Sequence, residues 1–556
     1  MSNDFESRLL IIFDGLDELA MQGKLGAEAA KEFIQKVDKN LANFNQRETR
    51  LQVLITGRDL TIQENSNLLD NSSQEILYVL HYFVEKNEKY NYIDEQKLLE
   101  TDQRNLWWQR YGEAKGIEYT GLPSELNQGK LREITAQPLL NYLVALSFAR
   151  GEVDFSADSN LNSIYADLLK AVYERKWADK KHPTNQEFKI KDEEEFAEVL
   201  EEIALACWHG DGRTTTVSKI EKICSDNIHF QNLFTEYQQA AEAGVTRLLT
   251  AFYFRQSGVR EQEKTFEFTH KSFGEYLTAR RIVRELYLIH EQLEEREKNH
   301  RKGWDEKATL KQWAILCGTS PLNEYLFRFI FDEMQLQEIA NVEKWQQTLC
   351  NLISFMLREG MPMEELKLPN FYEENRQARN AEEALLVVLN ACARVTKKVS
   401  EIKWHSLQDF GIWISRLRGQ RLGYDDRIFC LDYLSYLDLQ NCILIHQDFF
   451  RANLQGANLQ GANLQGVNLQ GAKLQGVNLQ GAKLQEADLQ RADLQEADLQ
   501  RAKLQRADLQ EADLQRAYLQ DANIQGAYLE GADVRGTILE GKDLTKLNTD
   551  KDSSTV

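Results

Sequence analysis

Residues 453–502 read NLQGA NLQGA NLQGV NLQGA KLQGV NLQGA KLQEA DLQRA DLQEA DLQRA. A leucine, replaced once by Ile524 and once by Val534, recurs at every fifth position from Leu454 to Leu544. In the strict part of the repeat, which ends at Val534, the residue two positions before each of these leucines is always Ala or Val. A period of five residues therefore decides the fold of this part of the chain.

This period excludes the two regular elements. On an α-helix five residues advance by about 500°, so successive leucines step by roughly 140° and form no stripe. On a flat strand an odd spacing places successive leucines on opposite faces. A turn in every pentad buries them together if the chain coils about its own axis, with Leu and the small Ala inward and three positions in water. The Gln after almost every Leu, from Gln455 to Gln525, would then form outward amide ladders.

The charged residues two positions after the leucines indicate the length of one coil. They are Glu486, Arg491, Glu496, Arg501, Arg506, Glu511, Arg516 and Asp521. Residues twenty apart always have opposite charges, whereas a spacing of fifteen would stack Arg491 on Arg506. Because adjacent coils stack about 4.8 Å apart, this order predicts twenty residues per coil. The position before the leucine does not follow the rule, since Asp488 and Asp508 have the same charge.

The pentads resemble the pentapeptide-repeat family, whose A-(D/N)-L-x-x pattern stands at Ala492, Asp493 and Leu494 and at neighbouring pentads. The resemblance implies a right-handed quadrilateral β-helix with four pentads per coil, which we expect over residues 423–545. A polar tail that we expect to be disordered, residues 546–556, follows it. A solvated helix or a low-complexity tract is the alternative, but neither explains an apolar residue kept in phase for so many pentads.

The first part of the chain contains short apolar runs that end in polar residues. Residues 8–13 lead to Asp14, residues 51–55 lead to Arg58, and a third run covers residues 76–80. An uninterrupted apolar run is typical of a strand buried on both faces. Acidic residues at the tip of such a strand suit a magnesium–phosphate site, since one carboxylate holds the ion and another orients water. Helical patterns between the runs predict a parallel α/β sheet with ligands at the strand tips.

Here the sequence resembles the NACHT branch of the STAND signal-transduction NTPases. FDGLDEL resembles their Walker B motif, which implies that Asp14 binds Mg²⁺ and that Asp17 and Glu18 act on the hydrolytic water. LITGRD resembles their sensor strand, which implies that Arg58 lies at the γ-phosphate. The resemblance thus implies ATP or ADP and Mg²⁺ as cofactors.

Two later stretches extend the resemblance. LREITAQPLLNYLVAL resembles the helical subdomain of the family, whose proline, here Pro138, packs near adenine. AFYFRQSGVREQEKTFEFTHKSFGEYLTARRI resembles the winged-helix subdomain, with strands predicted at residues 251–255 and 266–269. His270 corresponds to the histidine that senses phosphate. The following helix should begin near His270 and bury three residues at helical spacing, Phe273, Tyr276 and Leu277.

The chain departs from this family at the phosphate site, because it has no G-x-x-x-x-G-K-[ST] motif. The nearest match, Gly23 and Lys24, lacks the first glycine and the Ser or Thr. The cradle of backbone N–H groups and its lysine are therefore missing from the sequence. In that family the motif precedes Walker B, so the chain resembles a member without its first segment. We expect this remnant of an ATPase not to be an active NTPase as it stands, and nucleotide binding is left open.

These patterns predict a multidomain architecture: a partial P-loop-type α/β sheet, helical and winged-helix subdomains, a helical arm and the C-terminal β-helix. Four parts precede the β-helix. They are a truncated nucleotide-binding region (residues 1–115), a helical subdomain (116–235), a winged-helix-like subdomain (236–290) and a helical linker or arm (291–422). The arm contains no chemical motif, and the helical spacing of apolar residues over 381–395 predicts that this stretch is core.

Composition limits the compartment and the partners. The chain has a formal net charge of −20, whereas Arg451 to Asp543 contain 10 basic and 13 acidic residues, a net of −3. Such a chain repels nucleic acid. It has no run of 18 apolar residues and no basic segment followed by an apolar one at its start, so we expect no membrane span and no secretory signal. Its seven cysteines include no C-x-x-C pair, which favours reduced thiols in a cytoplasmic protein.

The preferred interpretation is a STAND/NACHT-like regulatory or signalling protein, in which a nucleotide-dependent switch is coupled to a protein-interaction surface on the β-helix. A non-enzymatic interaction scaffold with a vestigial switch is the second interpretation. DNA mimicry is the third, because some pentapeptide-repeat proteins resemble duplex DNA and bind topoisomerases, but it requires a strongly acidic β-helix. We expect protein partners, and the sequence leaves a homo-oligomer open.

Overall fold

The computed structural model describes residues 9–13, 24–46, 50–56, 82–84, 89, 94, 97–155, 160–176, 192–210, 215–216, 219–220, 254–260, 263–268, 271–418 and 429–544. The chain divides into two compact units, Met1–Thr278 and Ala279–Val556. Within the described ranges, no helix combines the length and the apolar character that crossing a bilayer requires.

The first unit opens with a strand–helix–strand segment. Strand β1 (Leu9–Phe13), helix α1 (Lys24–Phe44) and strand β2 (Leu51–Ile55) follow one another. The two strands pair in parallel over their whole length, so their carboxyl ends lie at the same edge. Phe13 of β1 meets Phe33 of α1 edge to face, with ring centroids 5.0 Å apart, which holds the helix against the sheet.

The prediction that β1 is buried on both faces is wrong. Leu9, Leu10 and Ile12 expose 58%, 55% and 58% of their surface. Among the described residues the sheet contains only β1 and β2, so β1 has a single neighbouring strand and little that covers its faces. The third predicted strand, residues 76–80, lies outside the described residues.

Helices follow this segment in the described ranges. The five after α1, here α2 to α6, are Gln103–Lys115, Gly129–Ala136, Pro138–Arg150, Leu161–Lys176 and Glu193–Trp208, and single 3₁₀ turns cover Leu98–Glu100 and Ser124–Leu126. Side-chain caps start three of them, because Asp102 accepts from the N–H of Arg104, Asn160 from the N–H of Ser163 and Asp192 from the N–H of Glu195. Trp108 of α2 is fully buried, and its Nε1 donates to Asn141 of α4 at 2.8 Å.

An antiparallel sheet follows these helices, and the unit ends at Thr278 within a long helix. The strands are β3 (Thr215–Thr216), β4 (Phe254–Arg260) and β5 (Glu263–Phe268), in the order β3-β5-β4. The sequence placed strands at 251–255 and 266–269 with a wing between them. Within the described residues, β4 and β5 instead remain paired through most of that wing, as far as Arg260 and Glu263. The register shifts once, between Gln256 and Gly258.

Helix α7 (Lys271–Lys298) follows this sheet. It begins one residue after His270. Phe273, Tyr276 and Leu277 are 3%, 1% and 0% exposed, so the predicted buried stripe is confirmed.

The second unit contains a helical module, which we define as helices α8 to α12, residues 306–418. The helices are Glu306–Cys317, Glu324–Gln335, Ile339–Glu359, Phe371–Thr396 and Asp409–Arg418, and a 3₁₀ turn covers Met363–Leu366. Every residue of α11 from Asn380 to Ala393 is buried, because α8, α9, α10 and α12 pack around it. Trp313 of α8 donates from Nε1 to the carbonyl of Ala381 at 3.0 Å. The core stretch predicted at 381–395 is therefore confirmed as far as Ala393, whereas Arg394 and Val395 are half-buried.

The β-helix follows a 3₁₀ turn, Phe429–Tyr433. Parallel bridges join residues twenty apart, from Asp438 with Asn458 to Asp513 with Asp533. The coil of twenty residues and four pentads is thus confirmed. The inward leucines from Leu434 to Leu529 are at most 3% exposed, so their side chains form one continuous apolar column.

Candidate interaction surface of the β-helix

Each pentad turns at the residue two positions after the leucine. This corner residue has a left-handed backbone, with φ of +60° at Gly476 and at Glu486 and +57° at Arg491. Glycine adopts that conformation without steric cost, whereas a residue with a Cβ does so less readily. Some coils therefore have Gly at the corner. In the coils that have Glu, Arg or Asp there, the left-handed conformation costs a small amount of conformational free energy.

The charged corners pair vertically, as their order in the sequence predicts. Arg491 lies 2.6 Å from Glu511, and the other three pairs are Arg506 with Glu486 at 3.7 Å, Arg516 with Glu496 at 3.5 Å and Arg501 with Asp521 at 3.7 Å. The hydrogen bond and the charge of Arg491 lower the pKa of Glu511 below its ordinary value. All eight side chains are mostly exposed, so these pairs favour the correct register more than they stabilise the fold.

The predicted amide ladders form in only part of the column. Gln460 donates to Gln480 at 2.9 Å, and two similar contacts join Gln440 to Gln460 and Gln470 to Gln490. Elsewhere the amide turns to an aspartate of the next coil, as Gln490 does to Asp508 at 2.6 Å and Gln495 to Asp513 at 2.7 Å. A carboxylate accepts a stronger hydrogen bond than an amide oxygen. These bonds also stabilise the stacked like charges of Asp488 and Asp508.

Residues 453–482, which we call the amide belt, differ from the coils that follow. Lys473 is their only charged residue, and their outward positions otherwise contain Asn, Gln and Gly. At Gly476 and Gly481 the space that a Cβ would occupy has no atom within 4 Å, so the backbone of these corners is accessible. From Lys483 onward almost every pentad brings charge. The belt is thus a hydrogen-bonding surface with a single charge, and the charged coils follow it along the β-helix.

The interior of the column is apolar. Its inward side chains are mostly Leu, Ala and Val with occasional Ile, Phe or Cys, and they are buried. Among the residues that the structure describes, no cluster of three or more His, Cys, Asp or Glu side chains could hold a metal ion. The polar groups of the β-helix are on its outer surface.

The structure describes one of the candidate nucleotide-site residues. Asp14, Asp17, Glu18, Arg58 and His270 lie outside the described residues. Pro138 is the first residue of α4 and is exposed, a position where proline's fixed φ and missing N–H suit a helix start.

The chain order relates Asp14 and Arg58 to the sheet. Asp14 directly follows β1, and Arg58 follows β2 by three residues. The N–H of Thr56 donates to the carbonyl of Phe13 at 2.8 Å, so the parallel pairing continues to that end of the strands.

Comparison with known proteins identifies the repeats. The family described as "Pentapeptide repeats" matches this chain in eight copies, at residues 433–466, 462–501 and 502–541. This C-terminal part of the chain therefore consists of pentapeptide repeats. No curated protein sequence gives a match.

Solved structures of pentapeptide repeat proteins also give matches, each over less than a fifth of this chain. HetL, a pentapeptide repeat protein involved in heterocyst differentiation regulation from the cyanobacterium Nostoc sp. strain PCC 7120, is 33% identical, with 19% of this chain and 60% of HetL covered and a TM-score of 0.13. Rfr23 from the cyanobacterium Cyanothece 51142 is 32% identical over 18% of this chain and 55% of its own, with a TM-score of 0.11. The pentapeptide repeat protein alr5209 from Nostoc PCC 7120 is 37% identical over 18% and 82%, with a TM-score of 0.10. The chain thus spans little more than half the length of HetL and Rfr23.

Proposed function

We propose that the pentapeptide repeats are a protein-interaction surface and that the partner binds the sides of the β-helix over the amide belt, residues 453–482. The observation that supports this most is the single charged residue, Lys473, in that belt. Centres of protein interfaces are depleted in charged residues, because each charge must be desolvated on binding. Outward Asn and Gln side chains supply donors and acceptors without that cost.

Nucleic acid and DNA mimicry fit the surface less well. The net charge of −20 repels a phosphate backbone. A DNA mimic needs a strongly acidic surface, but the four corner columns between Glu486 and Asp521 alternate acidic and basic residues and pair them. A protein partner with an uncharged polar surface is the better match.

Four single substitutions in the full chain test this proposal, one on each side of the belt: Gln460→Arg, Gln465→Arg, Gln470→Arg and Gln475→Arg. Gln525→Arg, in a later coil, is the matched control. The chain and its variants serve as bait in extract from the source cells, with chemical cross-linking and mass spectrometry as the readout. We expect one protein that cross-links to the belt in the wild type and the control but is lost with one or two neighbouring variants. Equal capture by all five variants would contradict the proposal.

A second candidate function is a nucleotide-dependent switch in the first unit. The parallel strands β1 and β2 with α1 between them favour it, because Asp14 and Arg58 both follow carboxyl ends at one edge of the sheet. In this proposal Asp14 binds Mg²⁺, Asp17 and Glu18 orient water, and Arg58 binds the γ-phosphate of ATP. Pro138 would pack near adenine, and His270 would sense phosphate.

The missing P-loop motif predicts that this candidate switch does not turn over ATP. Without that loop little fixes the phosphates against the metal, and positioning is most of what such enzymes provide. We expect the full chain and its Asp14→Asn variant to show the same background phosphate release. Magnesium-dependent ATP hydrolysis that disappears in Asp14→Asn would show that the site is complete without the motif.

A further inference from the structure

The first coil of the β-helix is not open at its N-terminal edge. Ser400 pairs with Leu437 as a residue of a preceding coil would. Its N–H donates to the carbonyl of Tyr436 at 2.7 Å, and its carbonyl accepts from the N–H of Asp438 at 3.0 Å. This side of the first coil therefore continues the ladder into the helical module.

The remaining three sides are closed in different ways. The N–H of Ile443 donates to the carbonyl of Leu407 at 2.8 Å, and the N–H of Asn453 donates to the carbonyl of Leu431 at 2.8 Å. On the side between them, the guanidinium of Arg418 in α12 donates to the carboxylate and the carbonyl of Asp448. Residues 400–418 and 429–431 thus act as an irregular coil, which we call the end cap.

The end cap also covers the apolar column. Phe410 is fully buried and lies parallel to Phe449, with ring centroids 6.2 Å apart and planes at 10°. Trp413 is likewise fully buried, and Trp404 donates from Nε1 to the carbonyl of Asp438 at 2.8 Å. The top of the column is therefore covered by aromatic rings rather than by water.

Buried polar contacts attach the end cap to α11. Glu382 is 2% exposed and accepts hydrogen bonds from Trp413 Nε1 at 3.1 Å and from Arg416 at 2.8 Å. Asn390 donates to the hydroxyl of Ser435 at 2.8 Å. The central helix of the module thus holds both the cap and the first residues of the column.

We infer that the end cap is a conformational device that prevents a second copy of this chain from adding to the N-terminal edge of the β-helix. Without the cap, the N–H groups of Asp438, Ile443 and Asn453 would lack acceptors, and the apolar column would meet water. An unpaired edge of this kind recruits strands from other molecules. Release of the end cap would therefore convert the chain into a self-associating form. This inference does not depend on which partner binds the amide belt.

Two substitutions in α12 of the full chain test the inference. Phe410→Asp places a charge at the capped end of the column, whereas Ile412→Asp, the matched control, changes a side chain that is 61% exposed. Hydrogen exchange of peptides covering residues 438–453 measures whether the end cap is open or closed. Sedimentation velocity over a range of concentrations measures self-association. We expect Phe410→Asp to raise exchange in these peptides about tenfold or more and to sediment as larger species with rising concentration. The control should match the wild type in both measurements.

The inference would be overturned if the end cap opened in Phe410→Asp without self-association of the chain. It would also be overturned if the chain self-associated while the end cap stayed closed. Phe410→Asp could instead fail to fold, which circular dichroism would show. In that case Arg418→Ala removes only one side of the cap, and Arg328→Ala, an exposed arginine of α9, is its control. The wild type gives a further check, since amides of Asp438, Ile443 and Asn453 that exchange as fast as exposed ones would contradict a closed cap.

Discussion

The inward leucine is the residue on which each pentad depends. It is buried from every side, and the Ala or Val two positions before it is equally covered, as Leu494 and Ala492 show with no exposed surface. A narrow column leaves no room for water around a polar substituent. Each inward position therefore requires an apolar side chain of limited size.

The substitution Leu494→Asp tests this at one site. It places a carboxylate without a partner inside the column, at a cost of about 3 kcal/mol or more. Gln525→Asp is the control, because Gln525 is exposed. Thermal melts of the full chain followed by circular dichroism should show a lower Tm only for Leu494→Asp. Equal melting temperatures would mean that the inward and outward positions are wrongly assigned.

The corner pair of Arg491 and Glu511 predicts a specific pH dependence. Arg491 lowers the pKa of Glu511, mainly through a hydrogen bond. The stabilisation is therefore present above the ordinary carboxyl pKa and is lost as the pH falls through the lowered pKa of the folded state. Arg491→Gln should raise the Glu511 pKa measured by NMR titration. Arg451→Gln, at the same corner two coils earlier, should not, and an unchanged pKa in Arg491→Gln would argue against the pair.

At the scale of elements, the sequence predicts the coil of the β-helix, but it predicts the hydrogen bonds on the surface of the β-helix only partly. Inward positions and corner charges repeat with the coil, so a one-dimensional pattern determines them. Each glutamine can reach two kinds of acceptor in the next coil, the amide of another glutamine or the carboxylate of an aspartate. The repeat pattern alone does not determine which of the two accepts the hydrogen bond. Gln490 and Gln495 bind aspartates for this reason and depart from the predicted ladder.

Helix α12 depends on one buried carboxylate. Glu382→Ala should destabilise the chain by about 3 kcal/mol, because it leaves Arg416 and the indole N–H of Trp413 without their acceptor. Glu324→Ala, which breaks an exposed pair with Arg328, should change stability by less than about 0.5 kcal/mol. Urea unfolding followed by tryptophan fluorescence measures both. Equal effects of the two substitutions would show that Glu382 does not anchor α12.

Strand β1 shows where an apolar run is misleading. Five consecutive apolar residues predict burial on both faces, but burial depends on what other segments place against the strand. The described residues supply β2 at one edge and Phe33 of α1 on one face, and Leu9, Leu10 and Ile12 remain exposed. The strand itself was predictable from local sequence, whereas its environment was not.

At the scale of the whole molecule, the parts of the chain differ in how strongly sequence determines their structure. The β-helix repeats one local rule, so its fold could be predicted pentad by pentad. The end cap could not, because Ser400, Leu407 and Leu431 close the first coil through backbone groups that any residue has. For the candidate nucleotide site, only Pro138 lies among the described residues, and all six assignments stay predictions.

The coil of twenty residues determines the four sides of the β-helix, the pairing of its corners and the position of the end cap. Gln460 and Gln480 lie one above the other, joined by a hydrogen bond of 2.9 Å. Coils about 4.8 Å apart bring their Cα atoms within the range of about 4.4–6.8 Å that a disulfide requires. The pair Gln460→Cys and Gln480→Cys, introduced together in the full chain, should therefore form a disulfide under mild oxidation.

The control pair, Gln460→Cys with Gln475→Cys, lies fifteen residues apart and on different sides of the column. Six native cysteines, Cys207, Cys317, Cys350, Cys392, Cys430 and Cys442, are buried and free, so they should not compete. Peptide mapping by mass spectrometry identifies the cross-link. We predict a disulfide between positions 460 and 480 and none between 460 and 475. A disulfide in the control pair and none in the test pair would contradict the four-sided coil.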